Sequence, residues 1–186
     1  AQVVKELKRT AYRPSMVVLG SREHYCINKS VRARRGGNLG EECKALLEGG
    51  ARRFQTREDA DERGGGGGCG YSHGAMKLAG AARRPGSDPV DIEDLVALGG
   101  KTRGCPYFAA KHMSETAELI FCPYNYLLDP SVRAAMDVDV KGALVILDEA
   151  HNVEDVAREA ASCDVALSDV VAAAEEFRRV ASFDDE

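Results

Sequence analysis

Asp148-Glu149-Ala150-His151 sets two carboxylates side by side with an imidazole two residues further on. Two adjacent acids can divide the work of phosphoanhydride hydrolysis: one holds Mg²⁺, the other orients and deprotonates the attacking water. Directly ahead lies Ala143-Leu144-Val145-Ile146-Leu147, an apolar run of strand length. A carboxylate at the carboxyl end of a buried parallel strand sits where α/β folds bind ligands. Asn152 is placed to cap a helix running through Ala161. An acidic turn that only caps that helix would use the same residues, and it is the run in front and the helix behind that favour the catalytic reading.

The second group with chemical potential is a set of thiols. Six cysteines stand at 26, 43, 69, 105, 122 and 163. Nothing marks the chain as secreted, so reduced thiols are expected, some of them available to metal. Cys26, Cys43, Cys69 and Cys105 form no C-x-x-C pair, so the common zinc and ferredoxin spacings are both absent. Scattered thiols are more often small core residues. The metal reading draws on their location in a glycine-rich stretch with few apolar residues, which four thiolates on one metal group would cross-link. Cys122, in a strand pattern, and Cys163, after a helix, read as structural, and no motif supports His24, His73 or His112 as ligands. Gly100-Lys101-Thr102 resembles the end of a phosphate-binding loop, but Leu95 occupies the position of that loop's first glycine, and residues 91–98 read as a helix. It is rejected as a Walker A site.

These groups need elements to position them. Gln2 to Thr10 has helical apolar spacing, and Met16 to Leu19 is a β-branched run ended by Gly20 that suits a buried strand. Asp91 to Leu98 predicts a short helix stopped by Gly99-Gly100, and Pro106 opens one reaching about Ala117. Leu119 to Cys122 is a second strand candidate, 143–147 the third and strongest, and Leu167 to Val180 a further helix. Strand, polar turn, helix, strand is an α/β pattern. It is interrupted between the first two strands by irregular, cysteine-bearing sequence too long for a plain loop, within which Gly64 to Gly68 is a linker by composition.

Composition narrows the classes. The 186 residues carry a formal net charge of −5, which excludes a uniformly basic nucleic-acid coat. The segment from Cys26 to Cys105 holds 14 basic and 11 acidic residues, and the basic excess is densest from Lys29 to Arg57. That patch is either a solvated face or a surface that tracks phosphates. Hydrophobic residues are 44% of the chain, too many for wholesale disorder. The longest clean apolar runs fall far short of a membrane span of roughly 20 residues. The opening Ala1-Gln2-Val3-Val4 already inside a helical pattern, and the end on Asp184-Asp185-Glu186 just after another, suggest a piece of a longer protein.

Four segments are recognisable together. Val17-Val18-Leu19-Gly20-Ser21-Arg22-Glu23-His24-Tyr25-Cys26, Gly104-Cys105-Pro106-Tyr107-Phe108, Phe121-Cys122-Pro123-Tyr124-Asn125-Tyr126-Leu127-Leu128-Asp129 and Val145-Ile146-Leu147-Asp148-Glu149-Ala150-His151-Asn152 resemble the iron–sulfur, XPD-like superfamily 2 DNA helicases, most of all the Fanconi anaemia group J branch. The resemblance covers roughly residues 2–166. It implies a partial RecA-like parallel sheet of a P-loop helicase lobe, with an inserted irregular or helical Fe–S subdomain. The lobe would occupy 1–25 and 106–152, the insert 26–105 with its linker at 64–68, and a helical Arch-type domain would begin at 153–186. By the same resemblance, Cys26, Cys43, Cys69 and Cys105 match ligands of a [4Fe–4S] cluster. Asp148 and Glu149 match the Mg²⁺-binding and water-activating acids, and His151 the residue coupling nucleotide state to DNA. Ser21 and Arg22 match a motif touching the DNA backbone, and Tyr71 falls near the DNA path.

The implied activity is ATP-driven 5′→3′ movement on single-stranded and forked DNA in nuclear DNA repair, the insert splitting the duplex. Walker A, motifs III to VI and the second lobe are missing, so little ATP hydrolysis or unwinding is expected of these residues alone. Two other readings stay open: a non-enzymatic four-cysteine metal-stapled DNA-binding or interaction module, and an RNA-directed ATPase of the Asp-Glu-Ala-His type.

Overall fold

The computed structural model describes residues 2–33, 38–53, 68–83 and 88–181. Among these residues the chain is mostly helical, with one small sheet. Helix α1 (Gln2–Arg9) leads into strand β1 (Met16–Val18), followed by the short helices α2 (Arg22–Tyr25) and α3 (Lys29–Arg32) and then by α4 (Leu39–Arg53). After Cys69 come α5 (Ala75–Ala82), α6 (Ile92–Thr102) and α7 (Pro106–Ser114), then strand β2 (Leu119–Phe121). The short helices α8 (Asn125–Leu128) and α9 (Pro130–Met136) follow, and α10 (Val153–Ala160) and α11 (Leu167–Ala181) complete the order.

β1 and β2 pair in parallel, Met16 opposite Leu119 and Val18 opposite Phe121. Everything from α2 to α7 is therefore a crossover between neighbouring strands. The pair is continued by Leu19 N–H donating to Phe121 O at 2.7 Å. Tyr25, 1% exposed, donates its hydroxyl to Val18 O and so anchors α2 against the end of β1.

The stretch between the strands, expected to be irregular or helical, is largely helical among the described residues. In α5, Ala75, Leu78, Ala79 and Ala82 are all buried, the i, i+3, i+4, i+7 spacing of a core-facing stripe. Three of those four are alanines, which favour helix and let α5 lie close on the Ala109–Ala110 face of α7. Helix α6 starts with a capping box, Asp91 Oδ1 accepting from Asp94 N–H at 3.0 Å and Asp94 Oδ2 accepting from Asp91 N–H at 3.4 Å. It does not stop at Gly99-Gly100 as expected but runs on to Thr102, where Arg103 closes it in the left-handed region at φ 54°. One core gathers Val17, Leu19, Tyr25, Leu78, Leu95, Tyr107 and Met113, so residues on both sides of position 105 share it. The Gly64 to Gly67 part of the expected linker lies outside the described residues.

The third expected strand is absent. Residues 143–147 pair with no strand among the described residues, and Leu144 and Ile146 are 88% and 83% exposed. A parallel strand exists only through the hydrogen bonds of a neighbour, and neither β1 nor β2 supplies them here. No described helix is long and apolar enough to cross a membrane.

Candidate metal centre and acid pair

Four segments converge on one recess. Cys26 follows the last turn of α2, Cys43 sits on α4, Cys69 precedes a turn, and Cys105 caps the N-terminus of α7. All four line a single recess, partly open to solvent, together with Arg22, Asn28 and Tyr71 and with walls of Ile27, Val31, Tyr107 and Phe108. The convergence rests on a tight backbone crossing. Cys105 N–H donates to Tyr71 O at 2.8 Å. A Cβ on Gly74 would lie 2.5 Å from Arg103 O, and one on Gly104 would meet Gly74 O and lie 2.7 Å from Leu78 Cβ. Only glycine at 74 and 104 lets the chain carrying Cys69 pass so close to the chain carrying Cys105.

Burial pushes up the thiol pKa values of Cys43 and Cys105. Two features work the other way. The Arg22 guanidinium beside Cys43 favours its thiolate, and the backbone N–H groups of Phe108 and Tyr107 at the start of α7 favour that of Cys105. The guanidinium is stacked 4.3 Å above the Tyr107 ring, and its Nε is buried without a hydrogen-bond partner among the described residues. A soft four-sulfur donor set with an arginine against it suits an anionic thiolate-bound metal group, and the unpartnered Nε is a donor such a group would satisfy. Among the described residues no three His, Cys, Asp or Glu close on one ion. The four thiols share the lining of one recess.

The other predicted residues fall as follows. Ser21 precedes α2, its hydroxyl 3.0 Å from His24 Nδ1 and also bonded to Glu23, the main cause of that carboxyl's lowered pKa. Arg22 points into the cysteine recess. Tyr71 lines the same recess. Asp148, Glu149 and His151 are exposed in a turn and a short 3₁₀ segment. Glu149 takes φ 53°, a left-handed conformation uncommon for a residue with a side chain, and its Oε2 lies 3.3 Å from His151 Nδ1. Asn152 starts α10 without the expected side-chain cap; its Nδ2 donates instead to Glu149 O at 3.3 Å. Cys122 is half-buried just after β2, and Cys163, read as structural, is exposed.

Sequence reasoning missed Asn28, whose position two residues after Cys26 in Asn28-Lys29-Ser30-Val31 carries the signal of a helix cap. It also missed the pairing of Gly74 with Gly104, which are far apart in sequence and carry no local signal.

With this geometry in hand, comparison with known proteins is informative. Residues 1–170 match the DEAD_2 family. The chain is 45% identical over 182 residues to a Fanconi anemia group J protein homolog of Gallus gallus, covering 95% of this chain and 13% of that protein. It is 38% identical over 181 residues to a regulator of telomere elongation helicase 1 homolog of Drosophila grimshawi, covering 96% and 17%. To regulator of telomere elongation helicase 1 of Mus musculus it is 37% identical over 180 residues, covering 96% and 14%. The chain thus spans less than a fifth of the length of these curated relatives. On the family match and on these identities, the chain belongs to the DEAD_2 family, that of the XPD-like superfamily 2 helicases.

Proposed function

We propose that this chain forms part of the first motor lobe of an ATP-dependent DNA helicase that acts in repair and genome maintenance in the nucleus and moves 5′→3′ on single-stranded and forked DNA. Cys26, Cys43, Cys69 and Cys105 would hold a [4Fe–4S] cluster, and Asp148 and Glu149 would serve Mg²⁺-ATP. The observation that carries this reading is that the four thiols, spread over 80 residues of sequence, line one recess.

When bound, the cluster would supply a rigid cross-link between four segments far apart in sequence. The chain's own residues do the rest. Arg22 offsets the charge of the thiolates, and its stack on Tyr107 keeps it there. Cys105 presents its sulfur at the start of α7. Ser21, one residue from that arginine, remains on the surface to meet a phosphate. Asp148 and Glu149 lie open to solvent, ready for a nucleotide cradled by residues of a longer protein. Strands from such a protein would also pair with 143–147 and cover its side chains.

The test is spectroscopic. The 186-residue chain purified without oxygen is expected to be brown, with iron and acid-labile sulfide in equal amounts, and Cys105→Ser is expected to bleach it. A colourless protein carrying stoichiometric zinc would overturn the cluster and favour the non-enzymatic four-cysteine module. That module is also the reading served by an acid pair that only shapes the turn before α10.

A further inference from the structure

Of the four cysteines, Cys69 has the least help from regular structure. It belongs to no helix or strand and follows Gly68 at φ 141°, yet it is only 6% exposed. Its backbone is held locally: Cys69 O accepts from Ser72 N–H at 2.9 Å and from Ser72 Oγ at 2.7 Å. Its sulfur is held from elsewhere. Asn28 Nδ2 lies 3.4 Å from Cys69 Sγ, across 41 residues of sequence.

The orientation of the Asn28 amide is fixed by its other end. Asn28 Oδ1 accepts from the backbone N–H of Ser30 at 3.0 Å and of Val31 at 3.4 Å, capping α3. Backbone N–H groups can only donate, so the end facing them is oxygen and the end facing Cys69 is NH₂. One side chain therefore stitches three things together: the start of α3, the segment that follows Cys26, and the sulfur of Cys69. An N–H donor aimed at a cysteine sulfur fixes its orientation and withdraws charge from whatever metal group the sulfur binds.

We infer that Asn28 is a positioning residue for the metal centre: its amide nitrogen orients the Cys69 sulfur, while its amide oxygen caps α3. This rests on the cluster reading above, and the two fail differently. A colourless wild-type chain removes the cluster; an intact cluster indifferent to Asn28 removes only this assignment.

The deciding variant is Asn28→Asp. It keeps the size of the side chain and an oxygen cap as good as asparagine, and it replaces the donor facing Cys69 with a second acceptor carrying negative charge. Iron retention against a chelator and the reduction potential of the bound cluster are measured anaerobically, with helical circular dichroism as the check on folding. The expected result is iron loss faster by about 10- to 100-fold, the range usual for loss of a partner that orients a metal ligand, and a shift of the potential to more negative values. Retention and potential equal to wild type would make Asn28 a helix cap only and overturn the inference. Should Asn28→Asp not fold, Asn28→Ser decides by the same two readings, since serine also caps but does not reach the sulfur.

Discussion

Tyr25 and Tyr126 hold their phenolic protons beyond the ordinary range chiefly because both are buried; Tyr126 is pushed up to about 12. The fold thus prefers the neutral phenol. Their contribution to stability is present in full below the ordinary tyrosine pKa of about 10, and it is lost as pH rises from there through the folded value. The urea midpoint of the chain is expected to stay level up to about pH 9.5 and to fall beyond about pH 10, with a shallower fall in Tyr126→Phe. A midpoint level to about pH 11.5 would show that these rings are not held neutral by the fold. At this scale the chemistry-bearing residue types were open to sequence reasoning, because a thiol or an acid pair announces itself by identity. The direction in which a side chain points was not. Arg22 stands one residue from Ser21 in a segment read as touching DNA, but its guanidinium turns inward onto Tyr107, a choice made by packing partners 85 residues away.

Elements with their own local signals were legible. The β-branched run of β1, the proline opening α7 and the acidic start of α6 each carry the cause of their structure within a few residues. Helix α5 was missed because alanine and glycine give a weak hydrophobic pattern, although its alanine stripe is what permits close packing on α7. Gly99 and Gly100 were read as a stop, yet they sit inside α6, and they are not equivalent. A Cβ at Gly99 would lie 2.7 Å from Pro106 Cγ and 2.9 Å from Gly104 O, whereas at Gly100 it would meet nothing within 4 Å among the described residues. Gly100→Ala is therefore expected to stabilise the chain by about 0.5–1 kcal/mol, the ordinary gain for a helix interior. Gly104→Ala is expected to cost roughly 1–3 kcal/mol, because its Cβ would strike the backbone at Gly74 and the Cβ of Leu78, neither of which is the free end of a side chain. It should also loosen the crossing that joins Tyr71 to Cys105. Urea unfolding of the two variants in parallel measures the contrast; equal midpoints would mean that the crossing is not close-packed.

Across the whole molecule, two regions differ in how completely they are covered. The helices between β1 and β2 and the two strands enclose a common core, whereas 143–147 and the helix α11 leave Leu144, Ile146, Leu167 and Phe177 at 78% exposure or close to it and above. The strongest sequence signal in the chain, five apolar residues before an acid pair, thus produced the element least satisfied by its surroundings. Periodicity and composition specify that a segment wants a sheet; they do not supply the neighbours that make one. An exposed apolar run outside any sheet is also a template for pairing with another copy. The isolated 186-residue chain is accordingly expected to associate as its concentration rises, and Leu144→Lys with Ile146→Lys to reduce that association. The choice of lysine separates two explanations. The added cations move the net charge from −5 to −3, which weakens the repulsion between copies and by itself would promote association. A fall in association therefore has to come from the lost apolar surface. Because those side chains bury so little area within the chain, the urea midpoint should change by no more than about 0.5 kcal/mol equivalent. Sedimentation velocity across a concentration series reads the association. Unchanged association in the double variant would direct attention to the exposed face of α11, and a large loss of stability would mean that 143–147 is packed more tightly than its exposure indicates.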